Sequence, residues 1–113
     1  MFLISLLVLN LSYARITTYA EDIRTSVKDN HKYLKKCFDI ALEKNPKLAG
    51  KVVMEWDIDD EGLVHNPVVI SSNAKSPEME ACLKETLETL TLAPAPKKQL
   101  HHLRYPFTFG RFK

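Results

Sequence analysis

A chain of 113 residues with 45% hydrophobic and 27% charged residues has the composition of one ordinary globular domain. Its net charge of +2 comes from interleaved acids and bases rather than a concentrated basic face, so nucleic-acid binding is not expected. No Gly-rich phosphate loop, no Ser/His/Asp set and no carboxylate pair in a plausible cleft is present, so neither an enzyme nor a cofactor is expected.

Phe2 to Leu9 is apolar apart from Ser5, and Ser12-Tyr13-Ala14 follows with the small-x-small pattern of a cleavage site. This predicts a signal peptide over 1–14 and a single domain over 15–113. The apolar run is too short to span a bilayer, so no stable membrane span is expected. No Lys or Arg precedes the run. The alternatives are a buried N-terminal strand, or a start that truncates a longer anchor.

From Thr18 to Lys44 apolar residues recur at helical spacing: Ile23, Val27, Leu34, Cys37 or Phe38, and Ala41. Lys28, Lys32, Lys35 and Lys36 fall mostly on the other side, as a solvated face does. Asn45-Pro46 ends this first helix, because the residue before proline resists helical backbone. Lys51 to Ile58 then alternates, with Val52, Met54, Trp56 and Ile58 on one face. Asp59-Asp60-Glu61-Gly62 predicts a tight hairpin connection. In the second strand Val64, Val68 and Ile70 are expected inward, with Asn66 as an interruption. Ser76-Pro77-Glu78 predicts a helix start: a capping hydroxyl, then a proline where no donor is needed. Met79, Cys82, Leu83, Leu87 and Leu90 make that helix's apolar stripe. Ala93-Pro94-Ala95-Pro96 is a stiff connector. Leu103, Tyr105, Phe107 and Phe109 alternate in a last strand, with Arg104, Pro106 and Thr108 on its other face.

Pro67 and Pro106 place the second and third strands at sheet edges, because proline cannot donate to a central ladder. A right-handed crossover through the second helix likewise sets strand three beside strand one. The expected fold is α+β: a three-stranded antiparallel sheet of order 2-1-3 with two helices on one face.

Cys37 and Cys82 both fall on apolar helix faces. An even cysteine count in an exported chain predicts a disulfide between them. The alternative is two small buried hydrophobes. Asp57-x-Asp59-x-Glu61-Gly62 imitates half of a calcium loop, but its twelfth position would be Val68, where a bidentate Glu is needed. His31, His65, His101 and His102 lack metal-site spacing, and His101 and His102 point to opposite faces of a strand.

The ordered set resembles the C-terminal domain of TonB-type energy transducers, and within that group the AgmX/PglI-type domain linked to gliding-motility proteins of the bacterial envelope. Carrying the resemblance are Cys37, Asn45-Pro46-Lys47-Leu48-Ala49-Gly50-Lys51-Val52, Ile58 with Gly62 and Val64, Ser71-Ser72, Cys82, and Tyr105-Pro106-Phe107-Thr108-Phe109. It covers Ile23 to Phe109. Energy transducers also carry a membrane anchor and a long Pro-rich spacer, which are not expected within these residues, so the resemblance implies a binding domain rather than transduction. It implies a periplasmic domain that binds an envelope protein or extended peptide by strand addition along Leu103, Arg104, Tyr105, Pro106, Phe107, Thr108 and Phe109. The alternative is a structural subunit of a motility or envelope assembly.

Overall fold

The helical periodicity of the first segment is real, but the helix is broken at Asn30. The computed structural model describes residues 18–110, and the expected signal peptide lies outside them. The elements are α1 (Tyr19–Asp29), α2 (His31–Lys44), β1 (Gly50–Ile58), β2 (Val64–Ser72), α3 (Pro77–Thr89) and β3 (His101–Phe109). Two helices were expected and three are found among the described residues. Asn30 closes α1: its backbone N–H reaches back to Ser26 and Val27, and its side-chain amide donates to the Ser26 carbonyl at 2.8 Å. Such side-chain bonds compete with continuation of the helix. Thr18 caps α1 by accepting from the Glu21 amide at 3.2 Å.

The start expected for the helix after β2 is observed. Ser76 caps α3 by accepting from the Met79 amide at 3.2 Å, and Pro77 is its first residue. The sheet has the order β2-β1-β3, with both neighbours antiparallel to β1. Inward residues of β1 are buried: Val52, Met54, Trp56 and Ile58. They meet Leu34, Cys37 and Phe38 of α2, Met79, Leu83 and Leu87 of α3, and Ile23 and Val27 of α1 in one core. All three described helices contribute to this core, and among the described residues none covers the opposite face of the sheet.

The inward set expected for β2 needs correction. The register with β1 shifts twice, between Glu55 and Asp57 and between Val53 and Met54. Asn66 takes a left-handed backbone, φ 53°, at the first shift. Each shift inserts one extra residue, and one residue is enough to reverse the facing of all that follows. Val69, paired with Met54, therefore packs on the core, while Val68 and Ile70 are 45% and 40% exposed.

The β1–β2 turn is tied down from outside. Asp59 accepts from the Glu61 and Leu63 amides at 2.8 and 3.0 Å. After α3 the chain returns to this turn, where Leu92 donates to the Gly62 carbonyl and Ala95 to that of Asp59, both at 2.9 Å. Gly62 has φ 85°, and a Cβ there would collide with the Leu92 carbonyl oxygen, so the site demands glycine.

Cys37 and Cys82 form a disulfide that joins α2 to α3 across a Cα–Cα distance of 5.6 Å. That separation lies within the range a cystine needs.

Candidate protein-binding site

A three-stranded open sheet has two edges, and here they differ. β2 is interrupted by two register shifts, by the left-handed Asn66 and by Pro67. Bulges blunt an edge against further pairing, and a proline, of which each of the two edge strands carries one, removes a single donor. β3 pairs with β1 without any shift, from Gly50↔Phe109 to Ile58↔His101. Its other side has no strand partner among the described residues. Pro106 is the one residue of that row with no amide to offer.

The residues expected to bind a guest divide by parity. Phe107 and Phe109 are buried, and Leu103 and Tyr105 are partly buried and pack against the core. Arg104, Pro106 and Thr108 are exposed on the open face. Opposite each stands a residue of β1: Glu55, Val53 and Lys51 respectively. Inside, a line of rings steadies the strand. Phe107 lies 6.1 Å from Trp56 and 6.3 Å from Phe109, and Phe109 stacks on Phe38 at 5.4 Å.

The open face holds a cross-strand ion network that sequence patterning did not reveal. Arg104 donates to Glu55 through Nε at 2.9 Å and pairs through a terminal nitrogen at 2.8 Å. His102 places Nδ1 2.8 Å from Asp57 Oδ1 and Nε2 3.1 Å from Glu55 Oε1. The available signal was parity: Glu55 and Asp57 share a face of β1, and His102 and Arg104 share a face of β3. Only the register brings the four together. His101 points the other way, as expected, and meets the Tyr19 ring edge-on at 4.7 Å.

Both nitrogens of His102 face carboxylate oxygens, and only the imidazolium has two N–H donors. Hydrogen bonding to Asp57, then to Glu55, raises the His102 pKa above its ordinary value. The Arg104 hydrogen bond, foremost, lowers that of Glu55. Both contributions are fully present only in the mildly acidic window between the ordinary carboxylate value and the ordinary histidine value. That of His102 is fully present below the ordinary histidine value and is lost as pH rises through the raised one. That of Glu55 is present above the ordinary carboxylate value and is lost as pH falls through the lowered one. Exposed pairs such as these contribute little each. The expected observation is that the His102 ring resonances titrate with a midpoint above 6.5, and that Asp57→Asn moves it down. A midpoint at or below 6.5 in the unaltered protein would show that no clamp forms in solution.

No protein-family model matches this chain, and no curated protein matches it. Among solved structures it is similar to the C-terminal domain of TonB from Helicobacter pylori, determined in solution by NMR. The identity is 20%, the match covers 91% of this chain and 92% of that one, and the TM-score is 0.57. The chain therefore has the α+β fold of a TonB C-terminal domain, with the strand order β2-β1-β3. Among the described residues no helix is long and apolar enough to cross a membrane.

Proposed function

We propose that the chain is a non-catalytic, exported protein-binding domain of the bacterial envelope, which adds an extended peptide to its sheet along β3. The observation that carries this reading is the unshifted free edge of β3, beside a β2 edge blunted by two bulges. Main-chain bonds along such an edge supply affinity, and alternate side chains supply selectivity. Arg104 and Thr108 are the side chains placed to choose the guest, and the missing amide of Pro106 sets where it must do without one bond. The fold shared with the Helicobacter pylori domain supports a role in protein interaction. The disulfide suits an oxidising compartment such as the periplasm. Kinship with AgmX/PglI-type domains rests on the ordered set of motifs with both cysteines in place.

A pull-down from periplasmic extract should identify the partner, and backbone amide shifts on adding it should map along His101 to Phe109. Because Arg104 is held by Glu55, the clean variant is Arg104→Gln, which avoids setting a carboxylate against Glu55. It should weaken binding several-fold while leaving stability within about 0.5 kcal/mol, as surface changes usually do. Shifts clustered on the exposed lysines of α1 and α2, Lys28 to Lys36, would rule out strand addition. A complex that never exchanges would favour the alternative, a fixed subunit of a motility or envelope assembly.

A further inference from the structure

Between α2 and α3 lies an open groove of about 550 Å³, walled by Tyr33, Lys36, Thr86 and Thr89, and both half-cystines line it. The two half-cystines are not equivalent. Cys37 is 2% exposed, whereas Cys82 is only half-buried. Thr86 Oγ1 stands 3.4 Å from Cys37 Sγ and 4.0 Å from Cys82 Sγ. In thiol–disulfide exchange the outcome depends on which sulfur a thiolate can reach and on how well the other leaves. Access favours attack at Cys82. Burial alone would disfavour a thiolate at Cys37, but the Thr86 hydroxyl is placed to donate to it. The Lys36 ammonium on the wall of the groove adds positive charge on the path of an anionic nucleophile.

We propose that Cys82 is a thiol-exchange site, attacked through this groove by the thiolate of a dithiol reductant. A bond forms between the incoming sulfur and Cys82 Sγ. The Cys37–Cys82 bond breaks, and its electron pair leaves on Cys37 Sγ as a thiolate hydrogen-bonded by Thr86. The second thiol of the reductant, once deprotonated, then attacks the mixed disulfide and releases Cys82 as a thiolate. Two electrons pass from the dithiol to the cystine, and the reductant becomes a disulfide. The staple between α2 and α3 is thereby opened in the folded domain.

The test exposes the folded, oxidised protein to excess glutathione at mildly alkaline pH, quenches with acid, alkylates the free thiols and maps the peptides by mass. The expected product carries glutathione on Cys82 and the alkyl group on Cys37. Glutathione on Cys37, or equally on both, would overturn the proposal. So would an exchange rate no faster than global opening, measured by hydrogen exchange of core amides under the same conditions. Thr86→Val is expected to slow exchange about fivefold, the rate equivalent of one net hydrogen bond, while Thr86→Ser keeps the hydroxyl and stays within about twofold of the parent. Equal rates for Thr86→Val and the parent would remove Thr86 from the mechanism. The adduct map needs no variant, so it decides the site of attack even if a Thr86 substitution impairs folding.

Discussion

Replacing the cystine by two alanines, Cys37→Ala with Cys82→Ala, is expected to lower the unfolding free energy by about 4 kcal/mol. The bond spans a sequence separation of 45 residues. Closing a loop of that length removes much of the conformational freedom of the unfolded chain, and the folded state gains by comparison. The loop runs from the middle of α2 through β1, β2 and the first half of α3, so it ties together most of the structure that must form at once. A domain of this size has a total stability of only about 5–15 kcal/mol, so the variant should be folded but marginal. Alanine is preferred to serine because Cys37 is buried among apolar side chains, where a hydroxyl would add a desolvation cost of its own. Denaturant titration of oxidised parent, reduced parent and double variant checks the result. The last two should agree closely. A loss under about 1 kcal/mol would mean that the unfolded chain is not constrained by the bond in the way the loop-entropy argument requires.

Phe107→Ala should cost about 3–5 kcal/mol. Phe107 is 2% exposed, pairs with Val52 of the central strand, and lies 4.9 Å from the Tyr105 ring and 6.1 Å from that of Trp56. Truncation removes the buried ring and leaves a cavity between the sheet and the helices, which the cystine-linked pair α2 and α3 cannot readily collapse to fill. Thr108→Ala, one residue on and on the open face, should stay within about 0.5 kcal/mol. The contrast between neighbours tests the facing of β3 directly. Denaturation followed by Trp56 fluorescence reads both variants, since Trp56 lies beside the deleted ring. Comparable effects at the two positions would mean that the register drawn for β3 is wrong.

The expected helices, strands and sheet order were legible where the signal is local. A capping serine followed by proline starts α3 because the chemistry of a helix N-terminus involves only adjacent residues. Strict alternation in β1 and β3 gave the correct inward faces. Proline in two strands placed them at the edges through one missing donor. The break at Asn30 was missed because asparagine is tolerated within helices, and nothing nearby resembles a proline or glycine signal. The facing of β2 was misjudged for a related reason. Asn66 was visible as an interruption, but an interruption does not say how many extra residues the strand absorbs. The disulfide was legible from the positions of the two cysteines on their helix faces; the groove above it was not.

By itself the sequence determined the helical and strand segments apart from the break at Asn30, the inward faces of β1 and β3, the two edge strands and the pairing of Cys37 with Cys82. Each of these rests on periodicity, backbone restriction or covalent chemistry, which a short stretch of chain or a pair of residue types expresses. Tertiary structure alone decided which edge is usable, because that depends on two register shifts between β1 and β2. It also decided that Glu55 and Asp57 meet Arg104 and His102, residues 45 to 49 positions away along the chain. It set Thr86 beside Cys37, 49 positions away, and left Cys82 the more exposed half-cystine. These are distances between distant segments. The packing of helices on a twisted sheet determines them, and no local pattern of residues encodes them.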